Sequence, residues 1–203
     1  MHRSLWPGLL ALACGFGLQM GAVAQEKAAD KTAAGAPSSG PRAEFLNELK
    51  DESDKFVRLA EAIPADKYTW RPGPDVRSIA EVYLHVAAAH YNLPRLIGTP
   101  PPEGFQAKGY DKSTTDKAKV IQALQDSFVH LRDAVIKMPD ADLDKQQDFR
   151  GGKNTERGIL LFIMRHMAEH LGQSIAYARM IGVVPPWTED QQKAAKPDAK
   201  PKQ

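Results

Sequence analysis

The sequence predicts an all-α protein, an up-down four-helix bundle. Four long segments carry an apolar residue every third or fourth position, each of them stops at Pro or Gly, and almost nothing alternates as a strand would. The first segment, about 44–62, places Phe45, Leu46, Leu49, Phe56, Leu59 and Ala60 on one side and stops before Pro64. The second opens at Ser78, with Glu81 three residues on, the spacing of a capping box, and runs to about Leu93, before Pro94. The third, about 115–138, carries Val120, Leu124, Phe128, Leu131 and Val135 and ends at Pro139. The fourth, about 155–181, carries Leu160, Ile163, Met167, Leu171, Ile175 and Ala178 and stops at Gly182, ahead of Pro185 and Pro186. Such helices bury their apolar faces against one another, and bundles hold metals and small ligands between facing helices.

The ends of the chain read differently. Residues 1–24 start with His2 and Arg3, continue through an apolar run interrupted by Pro7 and several Gly, and finish Ala22-Val23-Ala24, the three-part pattern of a secretory signal cleaved after Ala24. The same Pro and Gly residues make the run a poor membrane span, so no stable span is expected after cleavage and the mature protein is expected in the periplasm or outside the cell. Residues 25–41 are rich in Ala, Gly, Ser, Lys and Pro and read as a flexible linker; 187–203 repeat Lys, Ala, Pro, Asp and Gln and read as a disordered tail. One domain remains, 42–186.

Charge and cysteine content narrow the chemistry. The 203 residues hold 27 Lys+Arg and 25 Asp+Glu, a net charge of +2, which supplies no basic field for nucleic acid. Cys14, the single cysteine, leaves with the signal, so a metal would have to use His and carboxylate ligands.

The histidines fall on the helices. His166 and His170 are four residues apart, about 40° around the helix and one turn along it, so both imidazoles can meet one ion beside the stripe of Ile163, Met167 and Leu171. On the second helix, His85 lies between Val82 and Ala89 at the edge of the apolar stripe and offers a third ligand. His90 is about 140° away from His85 and cannot share its ion. His130 has no partner at ligand spacing and reads as a surface or groove residue. A metal site between helices 2 and 4 follows, with His85, His166 and His170 as ligands. Glu81, one turn before His85, is a candidate catalytic base or supporting residue, and equally a helix cap. Gln173, three residues after His170, could bond a ligand of the metal or pack against the next helix.

The stretch Arg77-Ser78-Ile79-Ala80-Glu81-Val82-Tyr83-Leu84-His85, preceded by Tyr68-Thr69-Trp70-Arg71-Pro72, resembles the second-helix entry of the DinB family of DinB/YfiT-like metalloenzymes. His166-Met167-Ala168-Glu169-His170-Leu171-Gly172-Gln173 resembles its fourth helix. The resemblance covers nearly all of 42–186. It implies a four-helix bundle whose three histidines, here His85, His166 and His170, bind a divalent metal, often zinc or nickel, with open coordination positions. Family members commonly form dimers, which implies a homodimer.

Three neutral imidazoles leave an ion dicationic, so the pKa of water in an open position falls toward ~7. Two function classes fit: a metal-dependent hydrolase or transferase with a small-molecule substrate, or a non-catalytic, metal-dependent small-ligand or stress-related protein. Residues 166–170 also match the H-x-x-E-H pattern of inverted zinc proteases, which needs Glu169 as base and a further downstream carboxylate ligand; only Glu189, in the expected tail, follows at a distance.

Overall fold

The computed structural model describes residues 35–195. The expected signal at 1–24 and most of the 25–41 linker lie outside the described residues, and so do the last eight positions of the expected tail. All the elements that follow belong to one compact unit beginning at Pro37.

Helix α1 spans Gly40–Ala62, α2 Ile79–Asn92, α3 Lys117–Lys137, α4 Glu156–Met180 and α5 Pro186–Ala194. A two-stranded antiparallel hairpin, β1 Gln146–Phe149 and β2 Gly152–Thr155, precedes α4. Local chemistry sets the helix starts. Ser78 Oγ accepts from the Glu81 N–H while Glu81 Oε2 accepts from the Ser78 N–H at 2.7 Å, which completes the expected capping box of α2. Asp116 caps α3 by accepting from the Lys119 N–H, so the helix begins two residues later than Ser113 and Thr114 suggest. Thr155 caps α4 through the Gly158 N–H, and Gly182 ends it at φ 80°, a left-handed turn that favours glycine.

The four long helices share one core. Phe56, Leu59, Tyr68, Tyr83, Leu124, Leu131, Ile159, Ile163 and Met167 are buried within it. Phe56 is central, with ring centroids 6.3 Å from Tyr83 on α2 and 5.9 Å from Phe128 on α3. Each such side chain contributes roughly 1.5–3 kcal/mol by leaving water. α1 packs on α3 and α4, and α2 packs on the same two.

The directions of these helices correct the up-down order. Near the start of α1, the Arg42 guanidinium donates to the last-turn carbonyls of α3, Val135 and Ile136, and pairs with Asp140 at 2.6 Å. Near the start of α3, Lys117 Nζ donates to Glu61 O and Ile63 O at the end of α1. These reciprocal caps make α1 and α3 antiparallel and satisfy carbonyls that helix ends leave without partners. α2 also starts where α1 ends, because Tyr68 donates its hydroxyl to Ala60 O and its own carbonyl accepts from the Ala80 N–H. Consistently, His90 Nδ1 meets Ser127 Oγ at 3.3 Å at nearly equal distances along α2 and α3 (90 − 79 = 11 and 127 − 117 = 10 residues). α2 and α3 therefore run parallel. α4 returns antiparallel to α2, since Tyr177 near its end stacks edge-on to Trp70, 5.5 Å away, beside the start of α2. The order is up-down-down-up, and the connection 93–116 must run back along the helices between two parallel members.

Two further elements depart from expectation. The hairpin is polar, with only Phe149 packing inward, and its turn uses Arg150 at φ 52° and Gly151 at φ 82°. α5 occupies 186–194, where a disordered tail is expected: Pro186 sits in its first turn, Trp187 packs on the core, and Asp190 pairs with Arg58 of α1 at 2.5 Å. No described helix is long and apolar enough to cross a membrane.

Candidate metal centre

α2 and α4 bring together the three histidines that helical spacing selects. His85, His166 and His170 each offer a ring nitrogen, and these atoms all lie within 4.8 Å of one another. Ring centroids are 5.1 Å apart for His85 and His166, 4.8 Å for His85 and His170, and 4.5 Å for His166 and His170. His85 Nε2 and His166 Nε2 face each other at 3.1 Å. Ligands of one tetrahedral ion with bonds of ~2.0–2.1 Å are separated by about 3.3 Å; the His85 and His166 pair is at that spacing, and all three donors lie within 4.8 Å, close enough to converge on one divalent cation.

The electrostatics suit ligation. Burial pushes the His85 imidazole down to about 4, helped by the Arg77 charge, and pushes His166 down to about 3, helped by its two histidine neighbours. Burial also lowers His170, although Gln173 opposes the shift. All three are neutral near pH 7, with lone pairs available.

Neighbouring side chains bear on two of the rings. His170 Nδ1–H donates to Gln173 Oε1 at 2.8 Å, which directs the Nε2 lone pair toward the other histidines; Gln173 Nε2 in turn donates to the Tyr177 hydroxyl at 2.9 Å. On the other flank, Phe162 stacks on His166 at 6.1 Å and 24°, and is itself covered by Arg150 and Arg165 and met edge-on by Phe149. The hairpin thus bears on the aromatic that orients His166.

The remaining candidates lie apart. His90 is fully buried against Ser127 and Phe128, and His130 is half-buried beside Tyr91. Glu81 is outside the histidine cluster. Burial alone would raise its carboxyl, but the Ser78 N–H and the Arg71 guanidinium outweigh that and hold it below the usual carboxylate range. Its oxygens are engaged by the cap and by Arg71. Glu169 is exposed and pairs with Arg165 at 3.0 Å, which removes the protease arrangement.

A polar cleft of about 610 Å³, whose walls include Arg71, Arg77, Glu81, Asp111, Lys112 and Gln173, reaches the cluster through Gln173, the partner of His170. Asp111 and Lys112 arrive on the 93–116 connection, and Arg77 immediately precedes the α2 cap. Sequence spacing signalled Gln173, three residues from His170, but gave no sign that a long connection would supply cleft residues.

A family model described as the DinB superfamily matches residues 48–174. The uncharacterized protein YjoA of Bacillus subtilis (strain 168) is 26% identical over 128 residues, which cover 61% of this chain and 80% of that protein. Among solved structures, a DinB-like protein from Bacillus cereus ATCC 10987 is similar with a TM-score of 0.62 at 18% identity, over 70% of this chain and 93% of that one. The crystal structure of the DinB-like YjoA from Bacillus subtilis gives 0.56 at 22% identity, over 68% and 92%. At these identities the two structures show a common fold.

Proposed function

Since the family model matches more than half of it, the chain belongs to the DinB superfamily, and from that membership we propose an exported four-helix-bundle protein that binds a divalent metal between α2 and α4 and uses it as a hydrolase or transferase on a small molecule. The observation that carries this reading is the convergence of the neutral His85, His166 and His170, with His170 held by Gln173 on the wall of a cleft large enough for a small ligand. When bound, zinc or nickel supplies a Lewis acid with a coordination position not taken by protein. The chain's own residues do the rest: Gln173 holds His170 in one tautomer, Phe162 holds the His166 ring, and Arg77 and Lys112 line the approach. Export is supported by the N-terminal pattern of residues 1–24. A homodimer is supported only by the resemblance to the family.

Elemental analysis of the purified protein tests the proposal. One equivalent of zinc or nickel is expected, lost in His85→Ala and His170→Ala. A protein without transition metal that also fails to take up added zinc rules the reading out. Ester, amide, phosphoester and thiol-transfer substrates then separate catalysis from binding, and turnover abolished by His166→Ala identifies an enzyme. A loaded protein that turns over none of them is a ligand-binding module.

A further inference from the structure

The cleft beside the histidines holds three cationic side chains, Arg71, Arg77 and Lys112, and three acids, Asp75, Glu81 and Asp111. Formal charge therefore does not select a ligand, but the placement of the groups that remain unengaged does. Glu81 accepts from the Ser78 N–H and from Arg71, which also donates to Val76 O, so both of these groups are engaged. Asp75 is exposed on a turn with φ 60°. Asp111 meets Arg77 only at Nε and at 3.5 Å, the long limit of a hydrogen bond. The two terminal nitrogens of Arg77 and the Lys112 ammonium make no hydrogen bond among the described residues. Asp75, the second Asp111 oxygen and Lys112 are unengaged as well, but of all these groups only Arg77 brings its charge to all three imidazoles.

Arg77 is also well placed to read a ligand together with the histidines. Its side chain is half-buried on the segment entering α2, its charge reaches all three imidazoles, and it shares the cleft wall with Gln173, whose Oε1 holds His170. With Asp111 near Nε, the Arg77 Nη pair is left as a fork that matches a carboxylate or phosphoryl group.

We propose that Arg77, assisted by Lys112, is the anion-recognition element of this cleft, so that the ligand is a small molecule carrying a carboxylate or phosphoryl oxyanion, with its other end directed to the histidine cluster. The assignment rests on the proposed metal-dependent function and names the class of its ligand. The test is calorimetric titration of the zinc-loaded full chain with succinate and, separately, with inorganic phosphate. At least one should bind, and which one binds distinguishes carboxylate from phosphoryl recognition. Arg77→Ala should weaken binding about tenfold or more, Arg77→Lys less, and the exposed Lys112→Ala about threefold, all with unchanged zinc stoichiometry. The assignment is overturned if neither anion binds, or if Arg77→Ala binds as tightly as the parent. If the parent takes up no zinc, the metal-dependent function fails, and the same titrations on the metal-free chain decide the anion site: binding that depends on Arg77 sustains it, and absent or Arg77-independent binding overturns it.

Discussion

His170 owes its orientation to one amide. With Nδ1–H committed to Gln173 Oε1 at 2.8 Å, only Nε2 faces the other imidazoles, and Gln173 is itself held by Tyr177. Gln173→Ala leaves the ring to rotate and lose its tautomer preference, so zinc affinity should fall about 10- to 100-fold with little change in melting temperature, measured by competition with a chelator. A larger melting change than affinity change would refute the positioning role. His90 illustrates the opposite case, a histidine that serves the core. Burial pushes its imidazole down to about 3, so the unfolded chain, titrating near 6.5, takes up the proton first. His90 therefore adds nothing to the pH dependence above about 6.5, and below it stability is lost as pH falls toward the folded value, with a limiting slope of about 1.4 kcal/mol per unit for one proton. In chelator-treated protein, His90→Leu should make the loss of stability between pH 6.5 and 4.5 shallower by that one proton; an unchanged slope would show that the ring is not held neutral. The three cluster histidines were legible in the sequence because helical angle pairs 166 with 170 and keeps 85 and 90 apart, while Val82, Val86 and Ala89 around His85 favour it over His90. Arg77 was not, because its role depends on what the 93–116 connection brings beside it.

At the scale of elements, a segment is legible where it carries its own signal. The Ser78 and Glu81 spacing announces α2, and the structure makes both halves of the box. Ser78→Ala should cost about 1 kcal/mol in urea unfolding, whereas Glu81→Gln, which can still accept from the Ser78 N–H, should cost well under that. Equal losses would show that the Glu81 charge, through Arg71, matters as much as the Ser78 half of the cap. The hairpin and α5 were missed for one reason: neither has an apolar period of its own. β1 and β2 contribute one core-facing ring, Phe149, and depend on the positive-φ Arg150 and Gly151 turn. α5 is a polar nine-residue helix held by Trp187 and by the Asp190 and Arg58 pair, and helices of that length need tertiary contacts to persist. Local composition reports such partners poorly.

Over the whole molecule, apolar periodicity specifies which face of a helix is buried but not which way the helix runs. The up-down-down-up order is encoded in contacts far apart in sequence, Arg42 with the end of α3 and Lys117 with the end of α1. The one sequence trace of it is the length of the 93–116 connection, longer than adjacent antiparallel helices require. This order places α2 beside α4 and antiparallel to it, so the cluster joins helices whose histidines are 81 residues apart. An ion held there binds only the folded arrangement, because the unfolded chain keeps at most the 166 and 170 pair at ligand spacing. The linkage follows: free zinc at 100 times its dissociation constant should stabilise the fold by about 2.7 kcal/mol. For a domain of this size that corresponds to a rise of about 5 to 10 °C in melting temperature over chelator-treated protein. His85→Ala, which cuts the α2 contribution, should abolish most of the rise although His166 and His170 remain. If that variant kept the full rise, the ion would be bound by α4 alone and the cluster would not be a cross-helix site; if the parent showed no rise, the histidines would be packed neutral side chains and nothing more.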